Sequence, residues 1–171
     1  MKKIIYCLLI LFYFTSCELD NYDAPNIQLI GKVVYNERPI YVRNNQVTFR
    51  LYEMGWELTS STYMDVQVSW DGSFSSAIYG GKTYKLIRQP NIGPWVEPTL
   101  NDTITINNYN GQAIDMPVVP YYLPDNVEIQ CKNRLVTGSC TVTEITQGKT
   151  IEKVGLYVGR NIIVDDVYNL T

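Results

Sequence analysis

Apolar and polar residues alternate with a period of two along most of the chain. In IQLIGKVVY, the side chains of Ile27, Leu29, Val33 and Tyr35 fall on one face, and in QVTFRL those of Val47, Phe49 and Leu51 do the same. Such alternation marks a strand with one buried face, and helical periodicity is nowhere sustained. MDVQVSW alternates without a break. It sets Met64, Val66, Val68 and Trp70 against Asp65, Gln67 and Ser69, and so predicts a core position for Trp70. Asp71-Gly72 then separates two alternating runs, the strongest short-range hairpin signal. Gly80 to Ile87 reads as a turn followed by a strand; DTITI and QAIDMPVV come next, with residues 107–111 as the turn between them. Many short strands punctuated by Gly, Asn and Pro predict an all-β antiparallel sandwich over residues 26–120.

Pro120-Tyr121-Tyr122-Leu123-Pro124-Asp125 reads as an extended connector, because each proline fixes φ and removes a backbone donor. Beyond it NVEIQC, SCTVTEI, VGLYVG and NIIVDDVY alternate again and predict four strands within residues 125–171. An immunoglobulin-like sandwich takes about 100 residues and seven strands, so these 47 residues predict a partial second β domain with apolar faces uncovered. Strands that instead complete the first sandwich are the alternative. Cys131 is in phase with Val127 and Ile129, and Cys140 with Val142. If the two strands form a hairpin, the thiols either close a disulfide, contributing about 2–3 kcal/mol, or act as two small buried hydrophobes.

The N-terminus departs from this pattern. Met1-Lys2-Lys3 is followed by an apolar run of 11 residues, Ile4 to Phe14, too short for the roughly 20 residues of a membrane-spanning helix. A basic start, a short apolar core and then small residues form a secretory signal peptide. Thr15-Ser16-Cys17 resembles the bacterial lipobox, with Phe14 standing where that motif usually has Leu. The resemblance implies a signal peptide over residues 1–16, cleavage before Cys17 and lipidation of Cys17, the membrane partner being the bilayer that takes the acyl chains. A plain N-terminal anchor is the competing reading. Residues 17–25, with Glu18, Asp20 and Asp23, read as an acidic tether.

Charge and composition narrow the function. A formal net charge of −3 disfavours nucleic acid, which is bound through clustered Lys and Arg. The chain has 14 Tyr and no His, which removes the commonest general base near neutral pH and the commonest zinc ligand. No cofactor or metal motif is present: Asp165-Asp166 lacks the spacing of a calcium loop. The carboxylate pairs Glu53/Glu57 and Asp65/Asp71 are of the kind used in glycoside hydrolysis, yet Asp71 has a sufficient task in its turn and Asp65 is in phase with the solvent face. The expectation is a protein that is not an enzyme. Indole faces pack on the apolar faces of pyranose rings, so Trp56 in EMGWELTSS and Trp95 in NIGPWVEP, both in loops, are the candidates for stacking on a glycan. Capping one end of the core is the alternative for each.

Gly31-Lys-Val-Val, Val47-Thr-Phe-Arg-Leu, Asp71-Gly-Ser-Phe and Gly81-Lys-Thr-Tyr-Lys-Leu together resemble the transthyretin-like, carboxypeptidase-regulatory-like β-sandwich. With ELDNYDAPN before them, GPWVEP after, and IEKVGLYVG near the end, they resemble a family of Bacteroidota outer-membrane lipoproteins of unknown function, across nearly all of the chain after Cys17. The resemblance implies a second immunoglobulin- or fibronectin-like domain. It also implies a surface-exposed accessory role in glycan capture beside a starch-utilisation-type outer-membrane transporter. A structural spacer or adhesin-like subunit is the alternative function, and a tether facing the periplasm the alternative location. Asp102-Thr103-Ile104 resembles the O-glycosylation signal of the same phylum, with Thr103 as the acceptor.

Overall fold

Gly31, Ile30 and Lys32 lie at the middle of the strand on which the first sheet is built. In the computed structural model, which describes residues 23–55 and 62–170, β1 (Ile27–Tyr35) pairs antiparallel with β2 (Arg38–Pro39) at its end. It pairs antiparallel with β5 (Ser73–Ile78) along Ile27–Lys32, and parallel with β8 (Met116–Pro117). The second sheet runs in the order β4 (Met64–Gln67), β3 (Thr48–Glu53), β6 (Tyr84–Arg88), β7 (Ile104–Ile106), all neighbours antiparallel. The period-two pattern explains the pairing of the sheets. Leu29, Val33, Phe74, Ile78 and Met116 turn inward from the first, and Phe49, Leu51, Val66, Tyr84, Leu86 and Ile106 from the second. Phe49 and Phe74 meet edge to face across the interior, centroids 5.4 Å apart, the arrangement that ring quadrupoles favour. The described residues form an all-β sandwich, as the alternation predicts, antiparallel throughout except where β8 runs parallel to β1.

Asp71-Gly72 forms its turn, but as a corner between the sheets. Val68 and Phe74 make a single bridge, after which β4 stays with one sheet and β5 with the other. Asp71 Oδ1 accepts from the Ser73 N–H and hydroxyl, which lowers its pKa and keeps the carboxylate ionised. Residues 107–111 are no hairpin turn either. From β7 the chain crosses to the first sheet, where buried Tyr109 donates its hydroxyl to Gln28 O and accepts from Ile30 N–H, and Ile114 N–H reaches Ile30 O. The expected strand QAIDMPVV therefore shrinks to the two residues of β8, parallel to β1.

The expected connector at 120–125 is largely strand. β9 (Tyr122–Lys132) already includes Pro124 and pairs with β10 (Leu135–Glu144) around Asn133-Arg134, both at positive φ as a two-residue primed turn requires. The register corrects the disulfide. Cys131 lies opposite Val136, whereas Cys140 sits four residues further along β10 at a register shift. At about 3.3 Å per residue the separation is about 13 Å, well beyond the reach of about 7 Å between bridged Cα atoms. Both cysteines are free thiols, and both are exposed, so neither is a buried hydrophobe. The two later expected strands are absent as well: residues 145–170 hold no strand. Leu156 lies over Gly138 of β10, and the Tyr122 hydroxyl donates to Lys149 O at 2.6 Å, so the segment is tied down by side chains instead of a ladder.

Two substitutions test this construction. Phe49→Ala should lower the unfolding free energy by about 3–5 kcal/mol, measured by urea denaturation of the chain from residue 23 onward, because it opens a cavity where the two sheets meet. Gly72 has φ +80°, and a Cβ there would lie 2.3 Å from Ile40 O. Gly72→Ala should therefore cost more than about 1 kcal/mol in the same assay, in contrast to Gly111→Ala, where a Cβ meets nothing within 4 Å and only the φ is strained.

Candidate functional site

The corner that joins the sheets also lifts Trp70 out of the core. Val68 is the last inward residue of its run. The Ser69 N–H then bonds Ser73 O and the Gly72 N–H bonds Ser69 O, so Trp70 stands at the tip of a closed turn. It is 46% exposed, contrary to the core position its phase predicts, because the turn ends the alternation two residues early. The segment after β2 runs alongside: Ile40 N–H bonds Val33 O and Val42 N–H bonds Trp70 O. Ile40 and Val42 face inward and are buried, so Tyr41 between them faces out, 65% exposed. Its ring lies nearly parallel to that of Trp70, at 19° with centroids 6.4 Å apart.

These two rings open onto a cleft of about 190 Å³. One side is Val42, Arg43 and Asn44; the other is Ile162, Ile163, Val164 and Asp165 of the C-terminal segment. Arg43 spans the two sides, its Nε 3.3 Å from Asp165 Oδ2 and its Nη2 2.8 Å from Asp166 Oδ1. Lys153 Nζ is 3.4 Å from the other oxygen of Asp166. Asp165 Oδ1 accepts from the N–H groups of Tyr168 and Val167. Those bonds, with Arg43 beside them, hold its pKa below the ordinary carboxylate range. A depressed native pKa stabilises above the unfolded value and stops doing so as pH falls through the native one, so the contact is intact at neutral pH. The arrangement offers two aromatic faces, an aliphatic wall and hydrogen-bonding groups, and it presents no activated nucleophile. It suits a ligand with an apolar face and a polar edge.

The residues predicted from sequence are distributed differently. Cys17, Trp56 and Glu57 lie outside the described residues. Trp95 is corrected: it is only 2% exposed and belongs to the core, so its ring offers no open face for stacking. Its loop folds back so that Trp95 bridges Pro120, and the glycine before it, Gly93, leaves space that the indole fills. Arg88 is buried beside this loop, with Nη1 3.1 Å from Val96 O and Nη2 3.1 Å from Asp102 Oδ2. Thr103, the candidate glycosylation acceptor, follows Asp102 at the end of the turn Leu100–Asp102 and is half-buried. Among the carboxylates, Glu53 pairs with Lys82, Asp71 is engaged in its turn and Asp65 is exposed on β4. Asp165 and Asp166 both face Arg43, and among the described residues no cluster of ligating side chains is arranged around a metal position.

Sequence reasoning misses Tyr41 altogether. Its signal is a lone aromatic flanked by two core aliphatics in PIYVR, which a period-two pattern sends to the outside. Three larger clefts lie elsewhere: one of about 390 Å³ within the C-terminal segment, between Arg160 and Tyr168, and two of about 590 Å³. One covers the outer face of the first sheet, beside Lys32, Ser73, Ser75 and Asp115, and presents no exposed aromatic ring. The other is an aliphatic groove on the hairpin, between Val127, Ile129 and Leu156.

Comparison with known proteins places this architecture. Residues 27–119 match the protein of unknown function (DUF3823) N-terminal domain, and residues 122–171 match the domain of unknown function DUF3823_C. A DUF3823 structure from Bacteroides ovatus superposes with a TM-score of 0.75 at 30% identity, covering 85% of this chain and 72% of that one. Another, from Parabacteroides merdae, gives 0.76 at 28% identity, over 86% and 72%. A third structure, from Bacteroides uniformis and provisionally described as a carbohydrate binding protein, shares the fold alone, with a TM-score of 0.64 and 14% identity over 86% and 67% of the two chains. No curated protein matches the chain. Two domain models that together span nearly every described residue establish that the chain belongs to the DUF3823 family.

Proposed function

We propose that this is a non-catalytic carbohydrate-binding protein which holds a sugar ring against Tyr41 and Trp70. The observation that carries the reading is the pair itself: two large rings, nearly parallel, exposed on a rigid corner, and opening onto a cleft with polar groups on its rim. Leaving that much aromatic surface in water is unfavourable unless a ligand or partner covers it. Sugars meet the requirement, since their C–H faces pack on aromatic rings while their hydroxyls reach Asn44 and the rim. The provisional description of the Bacteroides uniformis protein points the same way.

The accompanying proposal is that Cys17 carries the lipid anchor and that residues 17–25 tether the sandwich to the outer membrane, on the cell surface. There the protein would assist a starch-utilisation-type transporter in gathering polysaccharide. Several acyl chains, at about 0.8 kcal/mol per buried methylene, make such attachment firm. A structural spacer is the competing function, and the wild-type protein binding no glycan would favour it.

Affinity gel electrophoresis of the chain from residue 18 onward tests the site. Trp70→Ala and Tyr41→Ala should each weaken binding to the retaining polysaccharide by roughly 0.5–1.5 kcal/mol, about twofold to tenfold in Kd, while Trp95→Ala should act by destabilising the fold. Labelling cells with an alkynyl fatty acid tests the anchor: the wild type should take up label and Cys17→Ala should not.

A further inference from the structure

Resting on that reading of the Tyr41–Trp70 cleft, we infer that its ligand is an uncharged glycan, and that the C-terminal segment sets this selectivity by neutralising Arg43. Arginine is the side chain best suited to hold a uronate or a sulfate, because its planar fork matches the oxyanion in two parallel hydrogen bonds. Arg43 is the cation that lines this cleft, and it lies beside the aromatic pair. Left alone, it would make the site a receptor for acidic sugars.

It is not left alone. Asp165 occupies Nε and Asp166 occupies Nη2, so one edge of the fork is already committed to two carboxylates. Asp166 also meets Lys153, so that two cations face two carboxylates and the rim carries no net charge. The carboxylates are built into the segment. Asp165 is fixed by the N–H groups of Val167 and Tyr168, and Leu170 N–H closes back on Val158 O at 2.7 Å. A uronate entering the cleft would have to displace Asp165 or Asp166 or take the remaining Nη1 edge of Arg43, lying close to both carboxylates in either case, and like charges at such range repel. A neutral ring meets no such opposition. Selection therefore works by exclusion, and the excluding groups come from a part of the chain that contributes no strand to the sandwich.

The double variant Asp165→Asn/Asp166→Asn tests this. Asn keeps a side-chain oxygen to accept from Val167 and Tyr168, so the local turn is retained while Arg43 is released. Affinity gels containing a neutral polysaccharide (galactomannan or a β-glucan) or an acidic one (polygalacturonate or alginate) are run at low salt and in 0.5 M NaCl. The wild type should be retained by a neutral polymer, with little change in salt, and should pass through the acidic gels. The double variant should gain retention on an acidic polymer by about twofold to fivefold at low salt, the scale of an exposed charge pair, and lose it in 0.5 M NaCl. Adding Arg43→Met should abolish the gain. Wild-type retention on an acidic polymer that disappears with Arg43→Met would overturn the inference. So would a double variant that still binds the neutral polymer but gains nothing on the acidic ones. Neutral-polymer binding that survives both Trp70→Ala and Tyr41→Ala, or a wild type that binds no polymer at all, would instead overturn the location of the sugar site, and this inference with it.

Discussion

The turn from Ser69 to Ser73 is the constraint on which the rest of the molecule depends. Gly72 supplies the positive φ that reverses the chain, and its carbonyl accepts the Val33 N–H at 2.9 Å, so the turn is anchored directly to β1. Its missing Cβ lets Ile40 approach, which brings in the segment that carries Tyr41. A single tight corner thereby passes the chain from one sheet to the other, closes the core under Val68 and Phe74, and projects Trp70 beside Tyr41. Fold and candidate site share one backbone device. A substitution there disturbs both together.

The rest of the interior follows from ordinary packing, with tyrosine as the recurrent fastener. Tyr84 is fully buried, and its hydroxyl both donates to Tyr79 O and accepts from Tyr79 N–H, so both backbone groups of Tyr79 in the loop before β6 are satisfied. Burial raises its pKa, and the phenol stays neutral at any ordinary pH. Tyr109 does the same for the crossover onto β1. In each case a large ring fills the core while its polar end bonds backbone groups, of a loop residue for Tyr84 and of β1 for Tyr109.

The hairpin and the C-terminal segment are held to the sandwich by different means. Leu123 is buried at the start of β9 and Ile145 packs against the same core just after β10, so both ends of the hairpin are rooted in apolar contact. Arg38 adds a pair with Asp125 and a hydrogen bond to Pro124 O, and Arg43 adds its pairs with Asp165 and Asp166. Exposed ion pairs contribute little to stability, typically below about 1 kcal/mol. The apolar roots therefore hold the hairpin, and the ion pairs set the position of the C-terminal segment. Beyond the roots the apolar side chains of β9 and β10 are left open. Val127, Ile129 and Leu135 are all exposed.

What the sequence determined by itself was the class of fold and most of its core. Alternation named Leu29, Val33, Val47, Phe49, Leu51, Val66 and Val68 as inward, and all are buried, because a strand's two faces are a local property that a period of two reports directly. Asp71-Gly72 announced its turn for the same reason. Only the tertiary structure decided where local pattern stops applying. Trp70 is in phase with the core but lies beyond the last paired residue, and Trp95 reads as a loop residue but bridges Pro120 and is buried in the core, so the two exchange their expected places. The cysteines fail to meet because a two-residue turn set the register, and the alternating runs after Glu144 form no strand because none of them pairs with a neighbour. The cleft joins Arg43 to a carboxylate 122 residues away. Exposure and pairing at such points depend on which distant segment closes over them, and that is a property of the whole packed chain.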